Sequence, residues 1–139
     1  RLKEVLKGFL REQGYEVADL GNTKLDETDD YPDFAAAVAK KVNLDPERSR
    51  GVVLCMNGVG VSIVANKFRD IRAALGISAD HVYTARHDDD ANVLAVPAEF
   101  VTDEEAKKMM RIFIETKFIP EARYKRRLDK ITAIEAEHA

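Results

Sequence analysis

The sequence predicts an α/β protein: a three-layer α/β/α, Rossmann-like domain built on a parallel sheet. Three observations carry that prediction. Short strand-like runs at residues 15–20 (YEVADL), 51–54 (GVVL), 71–75 (IRAAL) and 92–96 (NVLAV) alternate with helical patterns, the order of strands joined by crossover helices. The runs at 51–54 and 92–96 are continuously apolar, as strands of a parallel sheet covered on both faces are. A glycine turn, Asn57-Gly58-Val59-Gly60, follows one run directly and leads into a helical pattern. That is where open α/β sheets place ligands. Four strands are visible, and a five-stranded sheet is expected, with its first strand missing before Arg1.

The elements follow from local pattern. Leu2, Val5, Leu6, Phe9 and Leu10 have the i, i+3, i+4, i+7 spacing of an amphipathic helix, which Gly14 ends as a C′ residue. Residues 22–30 are polar and acidic and read as a loop. Tyr31-Pro32-Asp33 opens an alanine-rich helix, with Asp33 as N-cap or first-turn acid and Phe34, Val38 and Val42 on the buried side. Asp45-Pro46 breaks it before residues 51–54, which read as the central strand. Residues 78–88 form a polar helix carrying His81 and His87. Thr102-Asp103-Glu104-Glu105 has the capping-box form, and Ala106, Met109, Met110 and Phe113 mark the buried face behind it. After Pro120 comes a basic helical tail over 120–139, with Arg123, Arg126, Arg127 and Lys130 on a scaffold of Tyr124, Leu128, Ile131 and Ile134. Residues 1–139 are read as one domain.

Totals narrow the function. The chain has 22 Lys and Arg against 25 Asp and Glu, a formal net charge of −3, so nothing electrostatic favours nucleic acid as partner. One cysteine rules out an internal disulfide and a cysteine-built metal site. No apolar run approaches the ~20 residues that cross a bilayer. A soluble, cytoplasmic protein without cofactor, metal or membrane partner is expected.

Chemistry concentrates at residues 51–62 (GVVLCMNGVGVS). Strand, glycine turn and helix in succession gather backbone N–H groups around one concavity, suited to an anion or a developing oxyanion. Cys55 stands at the strand's carboxyl end, where a thiol can serve as base or nucleophile. A core cysteine before a packing turn is the plainer alternative. Asp88-Asp89-Asp90 looks like a metal cluster, but three adjacent acids point in different directions, so a solvated helix end is the better reading.

Several stretches together resemble the ribose-5-phosphate isomerase B family, which includes galactose-6-phosphate isomerase subunits. They are residues 30–35 (DYPDFA), 51–62, 65–67 (ANK), 71–75, 90–95 (DANVLA) and 123–131, in the family's order and spacing. The resemblance implies metal-independent interconversion of aldose and ketose phosphates through a cis-enediol. It implies that Cys55 is the base, that the backbone N–H groups of Asn57, Gly58, Val59 and Gly60 stabilise the enediolate, and that Met56 lies against the substrate. It places Tyr31 near the sugar and gives the phosphate to Arg123 and Arg127. Their i, i+4 spacing puts two forked donors on one helical face. Lys125 and Arg126 are then solvent-facing. The family opens with a strand carrying an Asp-His pair, which would precede Arg1. It builds its site from two subunits, so a homodimer or dimer of dimers is expected.

The departures from the family are local. Met56-Asn57 replaces the usual Gly-Thr, and Asn57 hydrogen-bonds but is no hydroxyl. Ungapped alignment puts Asp88 where the family has its ring-opening histidine, followed by Asp89, with His87 one residue early. Residues 76–79 (GISA) also differ. These changes point to a sugar other than ribose 5-phosphate, among pentose, tetrose or hexose phosphates. Where some relatives carry a glutamate base this chain has Val61, leaving Cys55 without a rival. The alternative function is a sugar-phosphate-binding homologue that has lost catalysis.

Overall fold

A computed structural model describes residues 1–21 and 30–138. Its elements are α1 (Leu2–Glu12), α2 (Tyr31–Asn43), β1 (Gly51–Cys55), α3 (Val59–Ala65), β2 (Ala73–Leu75), α4 (Ala79–Asp89), β3 (Val93–Pro97), α5 (Asp103–Glu115) and α6 (Ala122–Glu137). All strand pairs are parallel, in the order β1-β3-β2. The expected α/β/α layering is present. On β3, Leu94 and Val96 point into one core with Leu2, Leu6, Val82, Met109, Met110 and Phe113. Val93 and Ala95 point into the other with Ala35, Ala39, Val53, Val61 and Ala65. A strand buried on both faces has no polar face to show, which is why NVLAV carries no alternation.

Two expectations about the sheet need correction. Among the described residues β3 lies in the middle of the sheet, with β1 and β2 on either side of it. Residues 15–20 are extended but pair with no strand among the described residues. They line a cleft of about 950 Å³ together with β1 residues Gly51 to Leu54, with Leu6, Leu10, Met110 and Ile114 among its walls. With that cleft beside them, their alternating pattern finds no ladder. The described sheet therefore holds three of the four strands expected within this chain. The polar loop read at 22–30 lies, except for Asp30, outside the described residues.

The helix signals are realised closely. Gly14 has φ 90°, and its N–H donates to Arg11 O while that of Tyr15 donates to Leu10 O, the paired bonds of a Schellman ending. Thr102 Oγ1 accepts from Glu105 N–H at 3.1 Å, the N-cap half of the capping box, and its hydroxyl donates to the Glu105 carboxylate at 3.1 Å. Ser78 caps α4 by accepting from His81 N–H at 3.1 Å. For α2 the N-cap position is Asp30, and Asp33 is the first-turn acid. The tail helix α6 has no buried residue. Tyr124 and Leu128 are half-buried, but Ile131 and Ile134, expected as scaffold, are 48% and 58% exposed. Two contacts fix its course: Tyr124 meets the His87 ring, and Glu135 Oε1 accepts from Asp70 N–H at 3.1 Å.

Candidate active site

Cys55 ends β1 opposite Pro97, and its carbonyl accepts from Ala98 N–H at 2.9 Å. The chain then turns sharply. Gly58 has φ 74°, a conformation that side chains resist. A Cβ there would also lie 2.6 Å from Leu75 Cδ1 and 3.1 Å from Pro97 N. Glycine is required twice over at this position. The turn brings Gly58 N–H to within 3.1 Å of Cys55 Sγ, to which it donates. The thiol in turn meets Asn57 Oδ1 at 3.7 Å, and the same oxygen accepts from Val59 N–H at 3.0 Å. Asn57 thus forms an Asx-type turn, a bond that a threonine hydroxyl at the same place makes more weakly. This qualifies the expected oxyanion site. Gly58 and Val59 spend their N–H groups inside the loop, and those of Asn57 and Gly60 remain for a ligand oxygen.

Tyr31 reaches this loop from the start of α2. A Cβ on Gly60 would stand 2.6 Å from both Tyr31 Cζ and Oη, so the ring rests on the bare glycine backbone. Two distant parts of the sequence, DYPDF and GVGVS, meet there. Met56 is 65% exposed and its carbonyl accepts from Glu99 N–H at 3.0 Å. Val59 and Ile63 stand exposed on α3.

A second group assembles at the other end of the sheet. His87 Nδ1 lies 2.6 Å from Asp88 Oδ1. The imidazole stacks on Tyr83 with centroids 5.4 Å apart and meets Tyr124 edge-on at 5.9 Å. Arg123 sits 4.7 Å above the Tyr124 ring and donates to its hydroxyl at 2.8 Å. Asp89 is raised from its ordinary value, chiefly because it is desolvated and then because Asp88 is adjacent; Arg127 opposes the shift. That places Arg127 in the same electrostatic neighbourhood. Asp90 turns away to Arg86 Nη1 at 2.8 Å and Arg72 Nη2 at 3.3 Å. The three consecutive acids therefore face different partners, with Asp90 taking two arginines. Among the described residues no group of three His, Cys, Asp or Glu side chains converges as metal ligands would.

Chain direction separates the two groups. Helix α4 begins after β2's carboxyl end, and its last residues lie four positions before the amino end of β3. At a rise of ~3.3 Å per residue, five-residue strands hold Cys55 about 13 Å or more from His87. The structure thus brings together Tyr31, Cys55, Met56, Asn57, Gly58, Val59 and Gly60. It brings together His87, Asp88, Asp89, Arg123 and Arg127. It does not join the two sets within one chain. Lys125 and Arg126 are exposed, as expected.

Sequence reasoning missed two supports. Arg86, 1% exposed, donates to Thr116 O at 3.1 Å and Ala91 O at 2.7 Å, pinning the end of α4. Fully buried Asn92 accepts from Arg72 N–H at 2.8 Å and donates to Asp70 O at 2.8 Å. An arginine in a polar helix carries no signal of burial. Tyr83 was also missed, although its i, i+4 spacing to His87 could have been noted.

Comparison with known proteins places this geometry. Residues 1–131 match the family model described as Ribose/Galactose Isomerase. A probable ribose-5-phosphate isomerase B of Mycoplasma genitalium is 40% identical over 136 residues, 98% of this chain and 89% of that protein. A galactose-6-phosphate isomerase subunit of Lactococcus lactis is 38% identical over 118 residues, covering 85% of this chain and 80% of the subunit. The crystal structure of the M. genitalium isomerase with bound ribulose-5-phosphate superposes with a TM-score of 0.93 at 40% identity, over 98% of this chain and 89% of that one. The chain belongs to the ribose/galactose isomerase family.

Proposed function

We propose that this chain interconverts an aldose phosphate and its ketose phosphate through a cis-enediol, with Cys55 as the base. The carrying observation is the setting of that thiol. It ends a parallel strand, accepts an N–H from a glycine turn and has Tyr31 at the far side of the turn, in a family of sugar isomerases. Cys55 removes the proton from the carbon beside the carbonyl and returns it to the neighbouring carbon. The N–H groups of Asn57 and Gly60 receive the enediolate oxygen. Arg123 and Arg127 hold the phosphate, and His87 serves ring opening.

The working unit is a homodimer or a dimer of dimers. His87, Asp88, Asp89 and the two arginines reach the thiol from a second copy, which the opposite placement of the two groups supports. Exposed Val59 and Ile63 beside the cysteine loop supply apolar surface for such a contact.

The test is a panel of ribose, ribulose and galactose phosphates assayed for isomerisation and for solvent deuterium entering the carbon next to the carbonyl. Conversion of at least one sugar with deuterium incorporation is expected. Tight binding of a sugar phosphate with no exchange in any of them would establish the non-catalytic homologue, which the changes at Met56, Asn57 and Asp88 favour.

A further inference from the structure

We infer that Asp88 is a positioning residue for His87, fixing the imidazole's tautomer and direction so that Nε2 serves the sugar ring. The inference rests on the isomerase reading for its substrate but on local geometry for its substance. Neighbouring residues on a helix project about 100° apart and do not ordinarily face each other. Yet here the Asp88 carboxylate reaches Nδ1 at 2.6 Å. The bond forms in the last turn of α4, just before Asp90 leaves the helix at φ 49°. The other acids of the run are otherwise engaged. Asp90 binds two arginines, and Asp89 faces the Arg127 field.

A carboxylate only accepts hydrogen bonds, so the proton of neutral His87 resides on Nδ1 and its Nε2 lone pair is free. Tyr83 and Tyr124 hold the ring plane from two sides, and the Arg123 guanidinium lies over the same tyrosine. Nε2 is therefore carried on a braced ring next to a group suited to phosphate. There it can take the proton of an anomeric hydroxyl as the bond from that carbon to the ring oxygen breaks and the carbonyl forms. It then returns that proton to the departing ring oxygen. One proton moves, one C–O bond opens, and no other reactant is needed. Asp88 touches none of these atoms and acts through His87.

The measurement compares the intact chain with its Asp88→Ala and Asp88→Asn variants. Side-chain nitrogen NMR, assigned with His87→Gln, reads the tautomer. Kinetics follow cyclic ribose 5-phosphate, and deuterium entry into C1 of ribulose 5-phosphate, which cannot close a furanose ring because its O5 is esterified. The parent chain is expected to show an Nδ1–H imidazole and both variants a population moved toward Nε2–H. Loss of ribose 5-phosphate turnover should exceed loss of ribulose exchange by at least about tenfold, a share of what positioned acid–base groups supply. An unchanged tautomer, or equal losses in the two reactions, would overturn the inference. The isomerase reading fails only if the parent chain also turns over no galactose phosphate, while the NMR arm decides in every case whether Asp88 directs His87.

Discussion

Cys55 has one N–H donor and one carboxamide oxygen about its sulfur, and each comes from the turn that follows it. The setting of the proposed base is therefore built by four consecutive residues, and a change at Cys55 alone should leave their backbone intact. Cys55→Ser should lose at least ~10²-fold in kcat, the lower end of what general-base catalysis contributes, with substrate binding retained. Near-normal turnover by this variant on the best sugar, measured in steady state, would remove Cys55 from the mechanism. At the phosphate end, Arg123→Ala or Arg127→Ala should raise KM for a phosphosugar by roughly ten- to a hundredfold, since a hydrogen bond to a charged group contributes about 1.5–3 kcal/mol. The unphosphorylated sugar should respond little, and a titration with both forms checks the difference. Cys55 stands out by type and spacing, one thiol before one glycine turn, whereas Arg123 and Arg127 are singled out from a basic helix only by the family resemblance. The Asn57 bond to Val59 N–H was not legible, since an asparagine's partner depends on the turn it makes.

At the scale of elements, signals confined to one turn of chain were read correctly. Gly14 and Thr102 each act through atoms within five residues, so their sequence neighbourhoods contain the whole cause. Residues 15–20 failed for the opposite reason. A strand exists only with a hydrogen-bonded neighbour, and alternation cannot reveal whether one lies alongside. The extended segment is instead held to α1 by charge. Lys7 Nζ binds Asp19 Oδ2 at 2.9 Å and Lys3 Nζ binds it at 3.2 Å. The hydrogen bond from Lys7 foremost, then the Gly21 N–H and Lys3, bring Asp19 down to about 2 from its usual 3.8, against the effect of its own desolvation. A carboxyl lowered on folding adds stability above its unfolded value, and that stability is lost as pH falls through the folded one. Asp19→Asn should therefore lower Tm at pH 7 by roughly 1–3 °C, as a partly exposed pair contributes about 0.2–1 kcal/mol. The difference between variant and parent should shrink from about pH 4 downward, and thermal melts across that range test it. A constant difference from pH 7 to pH 3 would assign the loss to packing rather than charge.

For the whole molecule, the consequence of chain direction outweighs any single contact. A parallel sheet sends every strand's carboxyl end one way, so a helix that follows one strand and precedes the next must deliver its own last turn to the opposite end. His87 and Cys55 cannot meet inside one copy without breaking that rule, whatever side chains surround them. Two copies can join them, each giving its cysteine loop to one site and its α4–α6 group to the other, as twofold symmetry requires. This makes a prediction that no single-chain site would satisfy. Cys55→Ser and Arg127→Ala chains, each nearly inactive alone at substrate well below the raised KM, should regain activity when mixed under conditions that exchange subunits. In a mixed dimer one site carries both defects and the other neither. Random pairing of equal amounts makes half the dimers mixed, so recovery should approach about a quarter of parental activity. Sedimentation at micromolar concentration should show a dimer or larger throughout. Recovery no greater than the sum of the two variants, in a mixture shown by mass to have exchanged, would confine the site to one chain and require the phosphate contacts to lie elsewhere.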